Sequence, residues 1–156
     1  MVRSRVRFLV ATCHPGPTLV VSALVALLSL SMGLPWERGA LVTLAVFAGQ
    51  LTIGWSNDLL DAGRDRSVGR GDKPLAQEGA PAGLVKGVLL AAGLVCVAAS
   101  LACGWEPAAL HLGLVVASGW AYNLGLKRTV LSLLPYLLAF GSLPHVVSLS
   151  DPSGSA

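Results

Sequence analysis

The chain has 156 residues, of which 54% are hydrophobic and 12% charged, with a net charge of +3. So apolar a composition excludes an ordinary soluble domain, where about a quarter of residues are charged, and the dispersed basic residues leave no stripe for nucleic acid. The fold class it implies is all-α: a polytopic transmembrane helical bundle forming a single membrane domain over 1–156, since each span takes about 20 apolar residues.

Residues 1–16 are short and basic, with Arg3, Arg5 and Arg7 leading to Cys13-His14-Pro15-Gly16-Pro17. The apolar run Phe8-Leu9-Val10-Ala11 is too short for a signal peptide, and no small-residue cleavage site follows it. Proline suits the first turn of a helix, where its missing N–H costs nothing. The first span is predicted over 17–34. Pro35-Trp36-Glu37-Arg38-Gly39 turns the chain, with Trp36 suited to a membrane interface. A second span over 40–57 contains Gln50, Thr52 and Ser56. Thr52 and Ser56 are expected to hydrogen-bond between helices, and Gln50 is a candidate pocket-lining residue.

Residues 58–81 read as one long polar loop, and loops of that length between spans are often functional. A third span is predicted over 82–103, with Gly83 and Gly87 at a spacing suited to close helix packing. After Gly104-Trp105-Glu106-Pro107 comes a fourth span over 108–125. His111 is expected there in a structural or interfacial role. Trp120 and Tyr122 approach the opposite interface, and Lys127-Arg128 close it. The fifth span, over 130–149, contains Pro135 and Pro144, tolerated in membrane helices when neighbours satisfy the freed carbonyls. Cys13, Cys96 and Cys103 are read as packing residues.

Five spans would gather ten of the eleven basic residues on one side and leave Arg38 alone on the other. By the positive-inside rule, a multi-pass protein of the cell membrane follows, with the N-terminus and the acidic loop in the cytoplasm.

The candidate site is Asn57-Asp58-Leu59-Leu60-Asp61-Ala62-Gly63-Arg64-Asp65, continuing to Arg70-Gly71-Asp72-Lys73-Pro74-Leu75. On a helix, Asn57, Asp61 and Asp65 fall on one face and Asp58 within about 100° of it. Carboxylates so gathered repel one another unless a cation lies among them. Mg²⁺ fits, because it commonly uses one or two carboxylates plus the oxygens of a bound phosphate. Arg64, Arg66, Arg70 and Lys73 lie within reach of that phosphate's remaining charge.

The pattern NDLLDAGRD followed by GRGDKPLA resembles the first aspartate-rich motif of the UbiA family of intramembrane prenyltransferases. Tyr122-Asn123-Leu124-Gly125-Leu126-Lys127-Arg128, with Leu134-Pro135-Tyr136 and Phe140-Gly141, is similar to that family's segment after its fourth helix. The resemblance implies transfer of a prenyl group from an allylic polyprenyl diphosphate to a small, usually aromatic acceptor within the lipid bilayer. It implies Mg²⁺ as cofactor, Asn57, Asp58, Asp61 and Asp65 as its ligands, and Asp61 and Asp65 as the catalytic pair. Arg70, Lys73, Tyr122 and Lys127 would contact the diphosphate. The family fold has about nine helices and a second aspartate-rich motif. Beyond Glu78 only Glu106 and Asp151 are acidic here, so the chain is expected to correspond to the N-terminal half: a fragment, or half of a bundle completed by a second chain. The alternatives are a non-catalytic membrane subunit and, weaker because spans three and five carry almost no polar residues, a cation-transport fragment.

Overall fold

The computed structural model describes residues 2–153, and no β-strand occurs among them. The side chain of Arg3 and the last three residues of the polar end lie outside the described residues. Helix α1 (Val2–Thr12) is followed by α2 (Pro15–Ser31), α3 (Trp36–Ser67), α4 (Ala82–Cys103), α5 (Trp105–Leu110), a π-helical stretch (His111–Val116), α6 (Ala117–Leu124) and α7 (Leu134–Ser148). Each of the five apolar stretches is helical over most of its length. By length and composition α3 and α4 each suffice to cross a membrane, and α1 with α2, bent by 71°, would make a third span. The predicted fourth span is wound more loosely in its middle. The fifth is a 15-residue helix, shorter than the bilayer's apolar thickness requires.

Helix α3 organises the bundle. Its 32 residues span about 48 Å, well beyond the roughly 30 Å of a bilayer's hydrocarbon. It continues to Ser67, so the first ten residues of the expected loop 58–81 are helical. No proline interrupts it, and Arg64 and Arg66 in its last turn complement the negative end of the helix dipole. Gly69, at φ 71°, turns the chain away.

The apolar core has two parts. Val21 and Val25 of α2, Val42 and Val46 of α3, Val115 of the π-helical stretch, and Leu143, Val146 and Val147 of α7 pack together. Cys13, Trp55, Leu75 and Val85 form a smaller cluster beneath the α1–α2 bend. All three cysteines are buried and free, as packing residues would be. Gly83 and Gly87, expected at a helix contact, have nothing within 4 Å of where a side chain would begin. The close approaches lie elsewhere: a Cβ at Gly119 would come within 2.5 Å of Ile53, and one at Gly54 within 2.1 Å of the Cys13 carbonyl oxygen.

Candidate functional site: a charged cluster at the mouth of an apolar cavity

Helix α6 is fastened along α3 by polar contacts that climb one face. Trp120 Nε1 donates to Thr52 Oγ1 at 3.2 Å. Asn123 Nδ2 donates to the Ile53 carbonyl at 2.8 Å and to Ser56 Oγ at 2.9 Å. Thr52 and Ser56 therefore do make the interhelical bonds expected of them. One turn further on, Lys127 Nζ reaches Asn57 Oδ1 at 3.0 Å and Asp61 Oδ2 at 2.5 Å. Arg128 stands 3.8 Å from the other Asp61 oxygen.

On the adjacent flank of α3, Asp58 is 2% exposed. Its Oδ1 accepts from Lys73 Nζ at 2.8 Å and is 2.7 Å from His14 Nε2. Its Oδ2 is buried with no partner among the described residues, and a buried polar atom left unpaired costs about 1–3 kcal/mol. Lys73 is fifteen residues along the chain and reaches back because Arg66 folds the following turn (Pro74–Ala76) onto the end of α3. Arg66 donates to the carbonyls of Ala76 at 3.2 Å and Leu75 at 3.3 Å. Asp65 is buried at the same helix face, and its carboxylate forms no ion pair among the described residues.

The structure thus brings Asn57, Asp58, Asp61, Lys73 and Lys127 together. Arg70 is directed elsewhere. It makes a two-pronged pair with Asp72 in the exposed loop, at 2.8 and 2.7 Å, which holds the Asp72 carboxyl down at about 2. Tyr122 lies on the cavity wall, edge-on to Tyr136 with ring centroids 5.2 Å apart. Among the described residues no three His, Cys, Asp or Glu side chains converge as a ready-made metal site. The donors do suit a cation, because the Lys127 ammonium already bridges Asn57 and Asp61 as a divalent ion would.

His14 was not singled out from the sequence, yet it touches three members of the cluster, Asn57, Asp58 and Lys73. Pro15 disfavours the right-handed helical region for the residue before it, and His14 takes the left-handed conformation at φ 55°, ψ 67°. Such a backbone is uncommon for any residue but glycine, and in this protein His14 is the one non-glycine residue at positive φ among the described residues. The resulting bend presses Cys13 against α3, where Gly54 leaves room for the carbonyl. Trp55 Nε1 fastens α1 there by donating to the Leu9 carbonyl at 3.1 Å. His14 is then held 3.5 Å from Asn57 Nδ2 and 3.4 Å from Lys73 Nζ. The signal for it was an ionisable residue beside a span, directly before proline.

Between α2, α3, α6 and α7 lies a cavity of about 310 Å³. Its wall is apolar at Val21, Ile53, Val115, Phe140 and Leu143, and its polar rim is made by His14, Gln50, Asn57, Tyr122 and Asn123. Gln50, a candidate for this role from the sequence, lines the cavity. The volume is at the lower end of ligand-binding cavities. The deep residues Val115 and Leu143 are each 1% exposed, whereas His14 opens to the surface and borders the lysine–carboxylate cluster. His111 is outside this cavity. It is buried between helices, with Nδ1 2.8 Å from Ser100 Oγ, and so is structural rather than interfacial.

Long apolar helices around an apolar cavity with a charged mouth define a helical membrane protein. The family model of the UbiA prenyltransferase family matches residues 17–150, and the chain belongs to that family. No curated protein and no solved structure matches the chain. Membership implies a prenyltransferase-type function.

Proposed function

We propose that this chain binds an allylic polyprenyl diphosphate together with Mg²⁺ and takes part in transferring the prenyl group to a small, aromatic acceptor. The observation that carries this reading is that His14 and Asn57, which line the apolar cavity, are in hydrogen-bond contact with the lysine–carboxylate cluster, His14 with Asp58 and Asn57 with Lys127. An isoprenoid tail buries its methylenes against Val21, Val115 and Leu143, while its diphosphate reaches Lys73 and Lys127 at the mouth.

Those two ammonium groups act where negative charge develops as the allylic carbon–oxygen bond breaks and its electron pair passes to the diphosphate. Part-buried positions, 20% exposed for Lys73 and 13% for Lys127, strengthen them relative to lysines in open water. The acceptor carbon then bonds to the allylic carbon and releases its proton, in a cavity whose apolar wall keeps water from the cation. Asn57, Asp61 and Asp65, with Asp58 offering its free Oδ2, are the residues that would hold Mg²⁺. When bound, Mg²⁺ supplies further neutralisation of the leaving diphosphate. Arg70 joins the anion only by giving up Asp72. The excess of basic residues at this end of the helices supports placing it, with the N-terminus, in the cytoplasm.

The test is equilibrium binding of a labelled allylic diphosphate to membranes containing the chain, with and without Mg²⁺, for wild type and Asp61→Asn. Binding that needs both Mg²⁺ and Asp61 is expected. Binding indifferent to Asp61, or none under any condition, would instead indicate a non-catalytic membrane subunit.

A further inference from the structure

Three of the four residues that would hold a metal ion, Asn57, Asp58 and Asp61, are already engaged with lysines. The Lys127 ammonium bridges Asn57 and Asp61, which lie one helical turn apart, and the Lys73 ammonium holds Asp58. A carboxylate oxygen facing an ammonium at hydrogen-bond distance is not free to bind Mg²⁺ at about 2.0–2.1 Å. Two cations on the same part-buried oxygens would also repel each other strongly. An ammonium and a divalent ion therefore compete for Asn57 and Asp61. An arriving diphosphate changes the balance, since it offers Lys127 charged oxygens in exchange for those it leaves. Lysine suits such an exchange: it is a compact charge on a four-carbon stem, with no fixed fork to break.

We propose that Lys127, seconded by Lys73, makes the binding of the divalent ion and of the diphosphate mutually dependent. Each lysine guards its carboxylate until a phosphate draws it away, so that neither ligand binds well alone. By linkage, the factor by which diphosphate tightens the metal equals the factor by which the metal tightens diphosphate. The inference rests on the proposed function, because it takes the diphosphate site to be at this cavity mouth.

The experiment uses the full chain in detergent, with Mn²⁺ as a paramagnetic probe and radiolabelled inorganic diphosphate as the anion. Wild type is expected to bind Mn²⁺ alone weakly, and diphosphate should tighten it at least tenfold. Lys127→Met keeps the aliphatic stem and removes the charge. It should bind Mn²⁺ alone at least tenfold more tightly than wild type, while the enhancement by diphosphate shrinks. Lys127→Arg keeps a competing cation and should stay weak. Thermal melting establishes that each variant is folded; should Lys127→Met fail to fold, Lys73→Met provides the same comparison at Asp58. Equal Mn²⁺ affinity in wild type and the folded methionine variant would overturn this inference. It would leave the proposed function standing, provided diphosphate binding still required metal and Asp61. Absence of Mn²⁺ binding from every variant, with and without diphosphate, would overturn both.

Discussion

The two ends of helix α3 use their charges in opposite ways. Near its start, Arg38 donates from Nε to the Ser150 carbonyl at 3.1 Å and from its two Nη atoms to the carbonyls of Ala102 at 3.1 Å and Cys103 at 2.9 Å. These carbonyls lie at the C-terminal end of α4 and just beyond that of α7, where helices leave acceptors unsatisfied and carry negative partial charge. About 34 Å along the helix, Asp58 and Asp61 meet side-chain cations instead, with one carboxylate oxygen left over and a left-handed histidine beside them. Backbone carbonyls have no second partner to turn to, so the Arg38 end is a permanent clamp. Side-chain ion pairs can be exchanged, and strain collects at sites that work. A fully satisfied charge holds the bundle together; an incompletely satisfied cluster is available for a ligand.

That contrast is broken most severely by Asp61→Asn. Removing one member of a part-buried charge pair costs about 4 kcal/mol. A loss on the order of a thousandfold in Mg²⁺-dependent diphosphate affinity is expected in the equilibrium binding assay, because the variant also lacks a metal donor. Arg38→Met should do the reverse. Losing charged hydrogen bonds to helix ends costs about 3 kcal/mol, seen as a lower melting temperature in detergent. Diphosphate affinity measured below that temperature should be unchanged. If Arg38→Met weakened binding as much as Asp61→Asn, the distinction between clamp and site would fail.

Gly54→Ala tests whether the bend at His14 connects packing with the site. The new methyl meets the Cys13 carbonyl, at a cost of about 1–3 kcal/mol. The displaced bend should lower both the melting temperature and diphosphate affinity, read in the same two assays.

The smallest effect is expected in the loop. Asp72 has its pKa depressed to about 2 by Arg70. A carboxyl whose folded-state pKa is lowered contributes stability above its unfolded-state pKa, and that contribution is lost as pH falls through about 2. The pair therefore persists at neutral pH, and the Asp72 side-chain carbon resonance should titrate near 2. Asp72→Asn should release Arg70 and raise diphosphate affinity by less than about fivefold, the scale of an exposed ion pair. An unchanged affinity would exclude Arg70 from the anion site.

The apolar helices and the acidic face of α3 were legible in the sequence because they depend on local periodicity. Hydropathy marks what lipid accepts, and a step of about 100° per residue places Asn57, Asp61 and Asp65 together whatever surrounds them. The matching of Thr52 and Ser56 to another helix follows from the same physics, since polar groups among apolar helices must find partners. Where α3 would stop was not legible: the polar residues after Asn57 read as a loop, but a helix with no breaker continues until Gly69 turns it. The partners of the charges depended on tertiary structure alone. Lys127 meets Asn57 and Asp61 only because Trp120 and Asn123 fix α6 along α3. Lys73 meets Asp58 only because Arg66 folds the loop back, and Arg70 is lost to Asp72 in that same loop. His14 reaches the cluster through a backbone bend that a close approach at Gly54 permits. These are contacts between residues far apart in the chain, and they are decided by which surfaces fit together in three dimensions.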